Sequence, residues 1–299
     1  MENILKTYDL SKSYGRIQAV NGLNITIPES SVYAILGPNG SGKSTTLGMI
    51  LHALKPSAGH FEWFNKEPDP KDLKHIGALL EQPKFYMYLS AMDNLAIVAT
   101  IKDVSADGIK DSLKKVGLYD RRLDPVKTYS MGMRQRLGIA AAIFHKPKAL
   151  ILDEPTNGLD PQGIADVRQL IINLANDGLS IILASHLLHE VEMVSSHVCI
   201  LKEGNCMYEG KVSGLKDSNE NIIQLGSSNL DSLKSALSDF NRIIKIDKHE
   251  SDKYLIVHLQ KDVQIDDITN HLVQKGIVLN HLTEQSSSLE DEFIELLKE

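Results

Sequence analysis

Short runs of consecutive apolar residues recur along the chain, and the clearest of them share one feature. Residues 32–36, 149–152 and 181–184 are uninterrupted apolar stretches of four or five residues. Such runs are typical of parallel strands that are buried on both faces of a sheet. Each run ends just before residues that carry functional groups. Because doubly wound sheets bind ligands at the carboxyl ends of their strands, the pattern predicts a site at that edge.

Between these strands the hydrophobic period changes. Apolar residues recur at helical spacing after the first run until Pro56, and again over residues 90–118. Residues 23–27 instead alternate between apolar and polar, which predicts a strand with one buried face. A long apolar helix is predicted from Ser130 to Phe144. We therefore expect a separate helical subdomain at about residues 85–147, inserted into the sheet domain.

A glycine-rich loop joins the first apolar strand to the helix that follows it. Its residues fit the pattern G-x-x-x-x-G-K-[ST] and are Gly37, Pro38, Asn39, Gly40, Ser41, Gly42, Lys43, Ser44 and Thr45. Glycines let backbone N–H groups turn towards an anion, and the start of the next helix favours negative charge. Lys43 adds a positive charge for the β- and γ-phosphates, and the Ser44 hydroxyl can ligate Mg²⁺. The loop predicts a nucleoside triphosphate site.

The other two buried strands end in acidic and basic side chains. Asp153 and Glu154 follow the second run, where Asp153 is the expected Mg²⁺ contact and Glu154 can orient or deprotonate the attacking water. His186 follows the third run and becomes a candidate sensor of the γ-phosphate. An Asp-Glu pair can also begin a helix or a turn, but its distance from the phosphate loop favours the functional interpretation.

Three further positions are ambiguous from their residues alone. Tyr14 precedes a turn at Gly15 and is either a rim tyrosine or a platform that stacks a purine ring. Glu81 ends a short apolar strand and is either a strand boundary or a contact to a metal-bound water. Ser130 and Gly132 begin the long helix, which has the makings of an anion site, although serine and glycine begin many helices.

Composition narrows the class of partner and the compartment. The net charge of −7 and the pI near 5.9 argue against nucleic acid as the main partner. No apolar run approaches the ~20 residues that a membrane span needs, so we expect a chain that is soluble by itself and free to dock onto a membrane partner. Cys199 and Cys206 have no metal-like spacing, and we expect two small buried side chains in a reducing compartment.

The character of the chain changes near residue 213, where a polar segment follows. Strands are predicted at 222–225, 243–246 and 254–259, and helices at 230–240, 263–275 and 288–297. This order predicts a small α/β accessory domain over 213–299 behind a first domain over 1–212. No catalytic motif falls in it, so regulation, dimer contact and simple packing all remain open.

With these residues collected, the first ~210 positions resemble the ATP-binding subunit of an ABC transporter. The phosphate loop matches the Walker A motif of that family, and 150–154 match Walker B. Tyr14 matches the adenine-stacking aromatic residue, and Ser130 and Gly132 fall on the signature motif. Residues 157–160 match the D-loop, and His186 matches the switch histidine. The resemblance implies an α/β P-loop NTPase of the ABC type, with a RecA-like core, an antiparallel β subdomain and a helical subdomain.

The same resemblance implies how such a chain works. Two copies would enclose two ATP molecules with Mg²⁺, and Ser130 and Gly132 of one copy would complete the phosphate loop of the other. Dimer closure and ATP hydrolysis, with Lys43, Glu154 and His186 in catalytic roles, would drive integral membrane permease subunits. The chain would then lie on the cytoplasmic face of the cell membrane.

Two departures from the family pattern point to a subfamily. Met131 and Met133 replace a glycine and a glutamine of the usual signature, and Glu81 stands where the family has its Q-loop glutamine, with Gln82 one place later. Both traits look like the subfamily that exports bacitracin and lantibiotic-type peptides or confers immunity to them. A carboxylate at position 81 leaves open whether this residue binds the Mg²⁺ at all.

Other functions of the same motifs are weighed against transport. A soluble ABC ATPase of ribosomes or DNA typically carries two nucleotide domains or a long coiled-coil insert, and this chain has neither. A P-loop kinase is disfavoured because Glu154 and the signature residues indicate water as the acceptor. A sensory or mechanical membrane complex differs from a transporter only in its partner, so it stays open at this point.

Overall fold

The computed structural model describes residues 2–67, 69–81, 83–215, 220–248, 253–260 and 262–285. The chain divides into two compact units, Met1–Val212 and Ser213–Glu299, each with its own sheets and core. Gln82 and the helix predicted at 288–297 lie outside the described residues.

The first unit contains two sheets and the helices that pack on them. Its strands are β1 (Asn3–Tyr14), β2 (Ile17–Leu23), β3 (Thr26–Pro28), β4 (Val32–Leu36), β5 (Ala58–Trp63), β6 (Ile76–Leu79), β7 (Ala149–Asp153), β8 (Ser180–Ser185), β9 (His197–Lys202) and β10 (Asn205–Lys211). Its helices are α1 (Lys43–Ile50), α2 (Ala91–Lys102), α3 (Ile109–Lys115), α4 (Met131–Ile143), α5 (Pro161–Asn176) and α6 (Leu188–Val194), and α7 (Val212–Leu215) follows at the boundary. Short 3-10 turns lie at Pro70–His75, Tyr119–Arg121 and Val126–Thr128.

The central sheet of this unit has the order β10-β9-β4-β8-β7-β6, and all of its neighbours are parallel except β9 and β10. The three runs of apolar residues form β4, β7 and β8, and β8 lies between the other two. In register, Leu36 pairs with Ser185 and Asp153 with Ala184. The residues that follow these strands therefore meet at one edge of the sheet.

Both faces of the central sheet are covered, as the unbroken apolar runs require. Tyr33 and Ile151 pack on one face with α1 and with the antiparallel sheet of β1, β2, β3 and β5. Leu150 and Leu183 pack on the other face with residues of α2 to α5. These two apolar layers hold the strand ends rigidly beneath the site.

Some element boundaries differ from the sequence-based expectations. The strand predicted at 23–27 is divided between β2, which ends at Leu23, and β3, which begins at Thr26; the Asn24 amide in between donates to Asp9 Oδ1 and to the Gly22 carbonyl. The helical region predicted at 90–118 is two helices, α2 and α3, and Asp103 ends the first in a left-handed conformation. Both cysteines are free thiols; Cys199 is buried and Cys206 is half-buried.

In the residues that the structure describes, the second unit has one sheet and two helices. It contains β11 (Glu220–Ser227), α8 (Leu230–Ser238), β12 (Ile243–Lys248), β13 (Leu255–Gln260), α9 (Ile265–Gln274) and β14 (Leu279–Gln285). The strands are antiparallel in the order β12-β13-β11-β14, which is the βαββαβ arrangement of ferredoxin-like folds. Strand β14 was not among the predicted elements. Its apolar residues are too sparse to form a periodic run, so the strand is defined by its backbone pairing with β11.

Candidate functional site

A cavity of about 340 Å³ opens at the edge where β4, β7 and β8 end. It combines the phosphate loop, the end of β7, the segment after β6 and one face of α4. The residues that line it are Ala19, Asn39, Gly40, Gly42, Lys43, Ser44, Thr45, Glu81, Gln135, Asp153, Glu154 and Asn157.

The phosphate loop leads into α1, whose first backbone N–H groups are hydrogen-bond donors without a side-chain cap. Gly42 precedes α1 with a φ of 108°, and a Cβ there would lie 2.4 Å from the carbonyl oxygen of Ala19. This position therefore requires glycine. Gly42 makes no side-chain cap hydrogen bond to α1, so the first N–H groups of the helix remain for a ligand. An anion at the start of α1 would satisfy them.

Lys43 and Glu154 face each other across the cavity. Lys43 Nζ donates to the carbonyl oxygens of Gly37 at 2.8 Å and Pro38 at 3.2 Å, and it lies 3.4 Å from Glu154 Oε1. Glu154 Oε2 lies 2.8 Å from His186 Nδ1. One carboxylate thus bridges a lysine and a histidine, each through a different oxygen. The predicted residues Lys43, Glu154 and His186 lie together.

The backbone of Glu154 is held in an unusual conformation. Its φ is 46°, a left-handed value that a residue with a Cβ adopts at a cost of about 1–3 kcal/mol. The Glu154 N–H donates to the Ala184 carbonyl at 3.0 Å, and the Asn157 N–H donates back to the Glu154 carbonyl at 3.1 Å. These two bonds direct the carboxylate towards the cavity.

Asp153 has the properties of a cation ligand. Its side chain is 5% exposed, and Oδ2 accepts a hydrogen bond from Ser44 Oγ at 3.0 Å. Its Oδ1 is buried and has no hydrogen-bond partner among the described residues. Burial raises the pKa of Asp153, the charges of Glu154 and Glu81 add to this, and Ser44 and Lys43 oppose it. A divalent cation beside Oδ1 and the Ser44 hydroxyl would satisfy this orphaned oxygen, so these residues fit Mg²⁺.

The remaining predicted residues are distributed differently. Glu81 is exposed, has a φ of 55° and lines the cavity. Tyr14 lies at the end of β1, is 47% exposed and has Lys12 Nζ 5.3 Å from its ring centre. It is open for stacking, but it does not line the cavity.

The residues at the start of α4 do not line this cavity. Ser130 is exposed and caps the helix, since its hydroxyl accepts the Met133 N–H at 3.2 Å. Gly132 approaches Gly163 of α5. Neither Ser130 nor Gly132 lines the cavity, so within the described part of one chain they are not brought to the phosphate loop.

Three lining residues, Ala19, Gln135 and Asn157, were not predicted as site residues. Gln135 is only 7% exposed, and its helix is pressed onto β6, where a Cβ on Gly138 would lie 3.0 Å from Leu79 Cδ1 and from Pro83 Cβ. Asn157 lies in the turn after Glu154. The sequence gives a weak indication of Gln135, since it is a polar residue inside an apolar helix. Whether its side chain reaches the cavity depends on the packing of α4 onto β6.

Known proteins are similar to this chain over most of its length. The sequence profile described as ABC transporter matches residues 20–157. The bacitracin transport ATP-binding protein BcrA of Bacillus licheniformis is 37% identical over 303 residues, which cover 99% of this chain and 98% of the relative. The chain belongs to the ABC transporter ATP-binding family.

Other relatives agree with this membership. The lantibiotic transport ATP-binding protein SrtF of Streptococcus pyogenes is 41% identical over 217 residues, 73% of this chain and 95% of SrtF. The structure of cbiO1 from Clostridium perfringens, part of the ABC transporter complex cbiONQ, is similar with a TM-score of 0.66 and 31% identity, over 71% of this chain and 89% of cbiO1.

The comparisons confirm several predictions made from the sequence. The fold class of a P-loop ABC ATPase is confirmed, and so is the resemblance to ATP-binding subunits of the bacitracin and lantibiotic type. The chain is an ATPase subunit of a transporter, and its family binds nucleotide. Within the described residues, no helix is long and apolar enough to span a bilayer.

Proposed function

We propose that this chain binds Mg²⁺-ATP between two copies of itself and hydrolyses it to drive export of a peptide antibiotic or a related amphipathic compound. The proposal rests on Lys43 and Glu154, which lie 3.4 Å apart in one cavity, and on His186, which holds the other carboxylate oxygen of Glu154. The peptide substrate is inferred from BcrA, which is similar over nearly the whole of both chains. The substrate path itself would lie in integral membrane subunits that the chain drives from the cytoplasmic side.

Binding begins with the phosphates. The N–H groups at the start of α1 and the ammonium of Lys43 receive the β- and γ-phosphate oxygens. Lys43 now rests on two loop carbonyls and on Glu154 Oε1. Its attraction to the phosphates draws it away from Glu154, and that frees Oε1 to accept a proton.

The Glu154 carboxylate, once Lys43 has moved away from it, acts as the base in hydrolysis. Glu154 Oε1 accepts the proton of the attacking water, while His186 Nδ1 holds Oε2 and fixes the direction of the carboxylate. Asp153 and Ser44 would hold Mg²⁺, which neutralises charge on the transferring phosphoryl group when it is bound. Glu81 lines the same cavity and adds negative charge near this position.

The second copy supplies what one chain lacks. Ser130 and Gly132 begin a helix at a surface that is separate from the cavity of their own chain. We assign them to the γ-phosphate of the partner's nucleotide. Tyr14 is assigned to the adenine ring.

The test is an ATP-dependent dimer. Glu154→Gln removes the base but keeps the side chain's shape, so this variant should accumulate a dimer on gel filtration with ATP and Mg²⁺. Lys43→Ala in the same background should remain monomeric and lose nucleotide binding. Glu29→Gln, at an exposed position remote from the cavity, is the matched charge control and should behave as wild type. A Glu154→Gln variant that remains monomeric with saturating ATP would contradict the proposal.

Partner and substrate need a separate experiment. A tagged chain should copurify with a multi-span membrane protein from detergent extracts of cells that express both. Cells carrying that pair should tolerate more bacitracin or lantibiotic than cells carrying the pair with Glu154→Gln. Equal tolerance in both strains would remove the assigned substrate class while leaving the ATPase assignment intact.

A further inference from the structure

Met131 occupies the first position of α4, where the usual family signature has a glycine. Its side chain is half-buried and extends over Gly158, in the turn between Glu154 and α5. A Cβ on Gly158 would lie 2.9 Å from Met131 Cε and 3.6 Å from Met131 Sδ. The methionine thus fills the space that a side chain at 158 would take.

The turn beneath Met131 carries residues of the cavity. The Asn157 N–H donates to the Glu154 carbonyl at 3.1 Å, and the Leu159 N–H donates to Thr156 at 3.2 Å. Glu154 and Asn157 both line the cavity, whereas Gly158 is exposed and has a φ of 74°. These local backbone hydrogen bonds close the base of the turn, and the Met131 side chain packs on its tip.

A second contact joins the same two elements. A Cβ on Gly132 would lie 3.9 Å from the Cα of Gly163 in the first turn of α5. Asp160 caps α5 by accepting the Gly163 N–H at 3.0 Å. The start of α4 therefore lies directly against the turn and the helix that follow Glu154.

We propose that Met131 is a positioning residue for ATP hydrolysis. By packing on Gly158 it holds the turn at 154–158, so that Glu154 and Asn157 keep their place in the cavity. It also joins this turn to Ser130, and this part rests on the proposed function, in which Ser130 acts on the partner's nucleotide. The flexible Met131 side chain then connects Ser130, which acts on the partner's ATP, to Glu154 and Asn157, which act on the ATP of their own chain.

The first test removes the contact and restores it. Met131→Ala in the full-length chain should lower kcat about three- to tenfold with KM within about twofold, because contacting residues couple by this amount. Met131→Leu, of similar volume, should recover most of the rate. Met133→Ala is the matched control, since its sulfur contacts the Arg121 guanidinium at 3.5 Å instead of the turn. It should change the melting temperature more than kcat.

The second test is a double-mutant cycle at the contact itself. Gly158→Ala introduces a Cβ that overlaps the Met131 methyl group and also strains a positive φ. The strain is the same in both backgrounds, but the overlap exists only with methionine. Gly158→Ala should therefore lower kcat at least about threefold less in Met131→Ala than in wild type. Independent effects of the two substitutions on kcat would overturn the proposal.

A dimer measurement separates this inference from the proposed function. In the Glu154→Gln background, Met131→Ala should weaken the ATP-dependent dimer while leaving ATP binding by the monomer unchanged. If the Glu154→Gln parent forms no dimer, the proposed function fails together with the link from Met131 to the partner's ATP, whereas the kcat measurements still decide whether Met131 positions Glu154. If the parent dimerises and Met131→Ala neither weakens the dimer nor lowers kcat, only the role of Met131 is lost.

Discussion

Asp153→Asn tests the cation site through stability and does not rely on catalysis. The wild-type carboxylate is buried, has one oxygen without a partner among the described residues, and lies near Glu154 and Glu81. Asparagine has nearly the same shape and can still accept the Ser44 hydroxyl. We expect the variant to be more stable than wild type when nucleotide and Mg²⁺ are absent.

The magnitude follows from the cost of an unsatisfied buried group. Leaving such a group unpaired costs about 1–3 kcal/mol, and more when it is charged. The asparagine N–H₂ group inherits part of this cost, so a net gain of about 1 kcal/mol is expected. For a unit of 150–250 residues this raises Tm by about 2–4 °C. The gain should disappear when wild type is saturated with Mg²⁺-ATP, since ligand at 100 times Kd adds about 2.7 kcal/mol.

The pH dependence has a definite sign. Because burial raises the folded-state pKa of Asp153 above 3.8, the folded chain retains a proton that the unfolded chain has lost between these two values. The folded state binds more protons there, so its free energy of unfolding falls as pH rises through this window. Asparagine does not titrate. The Tm advantage of Asp153→Asn should thus be full above the raised pKa and shrink as pH falls towards 3.8.

Thermal unfolding in EDTA and in Mg²⁺-ATP, followed by circular dichroism, measures these differences. Ser44→Ala is the companion variant, since it removes the hydrogen bond that Ser44 Oγ donates to Asp153 Oδ2 and should lower Tm in EDTA. If Asp153→Asn lowers Tm in EDTA, or keeps the full stabilisation by Mg²⁺-ATP, the carboxylate is a structural partner and the cation assignment is wrong.

Substitutions at two further positions, Tyr14 and Gln135, test the edges of the nucleotide site. Tyr14→Ala should weaken ATP binding by about 1–3 kcal/mol, the value of one base–aromatic stack, while Tyr14→Phe should bind as wild type; equal titrations of a fluorescent ATP analogue with both variants would exclude stacking. Gln135→Ala should lower kcat about two- to tenfold, the value of one hydrogen bond that its side-chain amide would make to the reacting groups in the cavity, with Kd for ATP unchanged. Gln135→Glu should weaken ATP binding through added charge, and unaltered kcat and Kd in both Gln135 variants would remove this residue from the site.

The sequence was sufficient for the parts of the site that depend on strand order. Apolar runs identified β4, β7 and β8, and the residues after each run were expected at one edge. Lys43, Glu154 and His186 meet there because β8 pairs with both neighbours. Local pattern and sheet topology agree in this region, so prediction was reliable.

What could not be predicted depends on how helices approach the sheet. Gln135 reaches the cavity because α4 lies against β6, where a Cβ on Gly77 would be 2.2 Å from the Ala142 carbonyl. The sequence shows Gly77 and Gly138, but it does not show that they allow α4 to pack closely on β6. The ferredoxin-like order of the second unit was hidden for the same reason, since β14 is defined by its pairing with β11.

Residues that are close together on α4 contact different parts of the molecule, so the position of the helix decides what each of them can reach. Gln135 lines the cavity of its own chain, whereas Ser130 lies five residues earlier and faces elsewhere. A helix rises about 1.5 Å per residue, so these two side chains are fixed to one rigid body. Any shift of α4 that follows nucleotide contact at Gln135 must also move Ser130, and it must move Met131 on Gly158. If two copies enclose ATP as we propose, the position of α4 would determine when Ser130 can reach the partner's nucleotide.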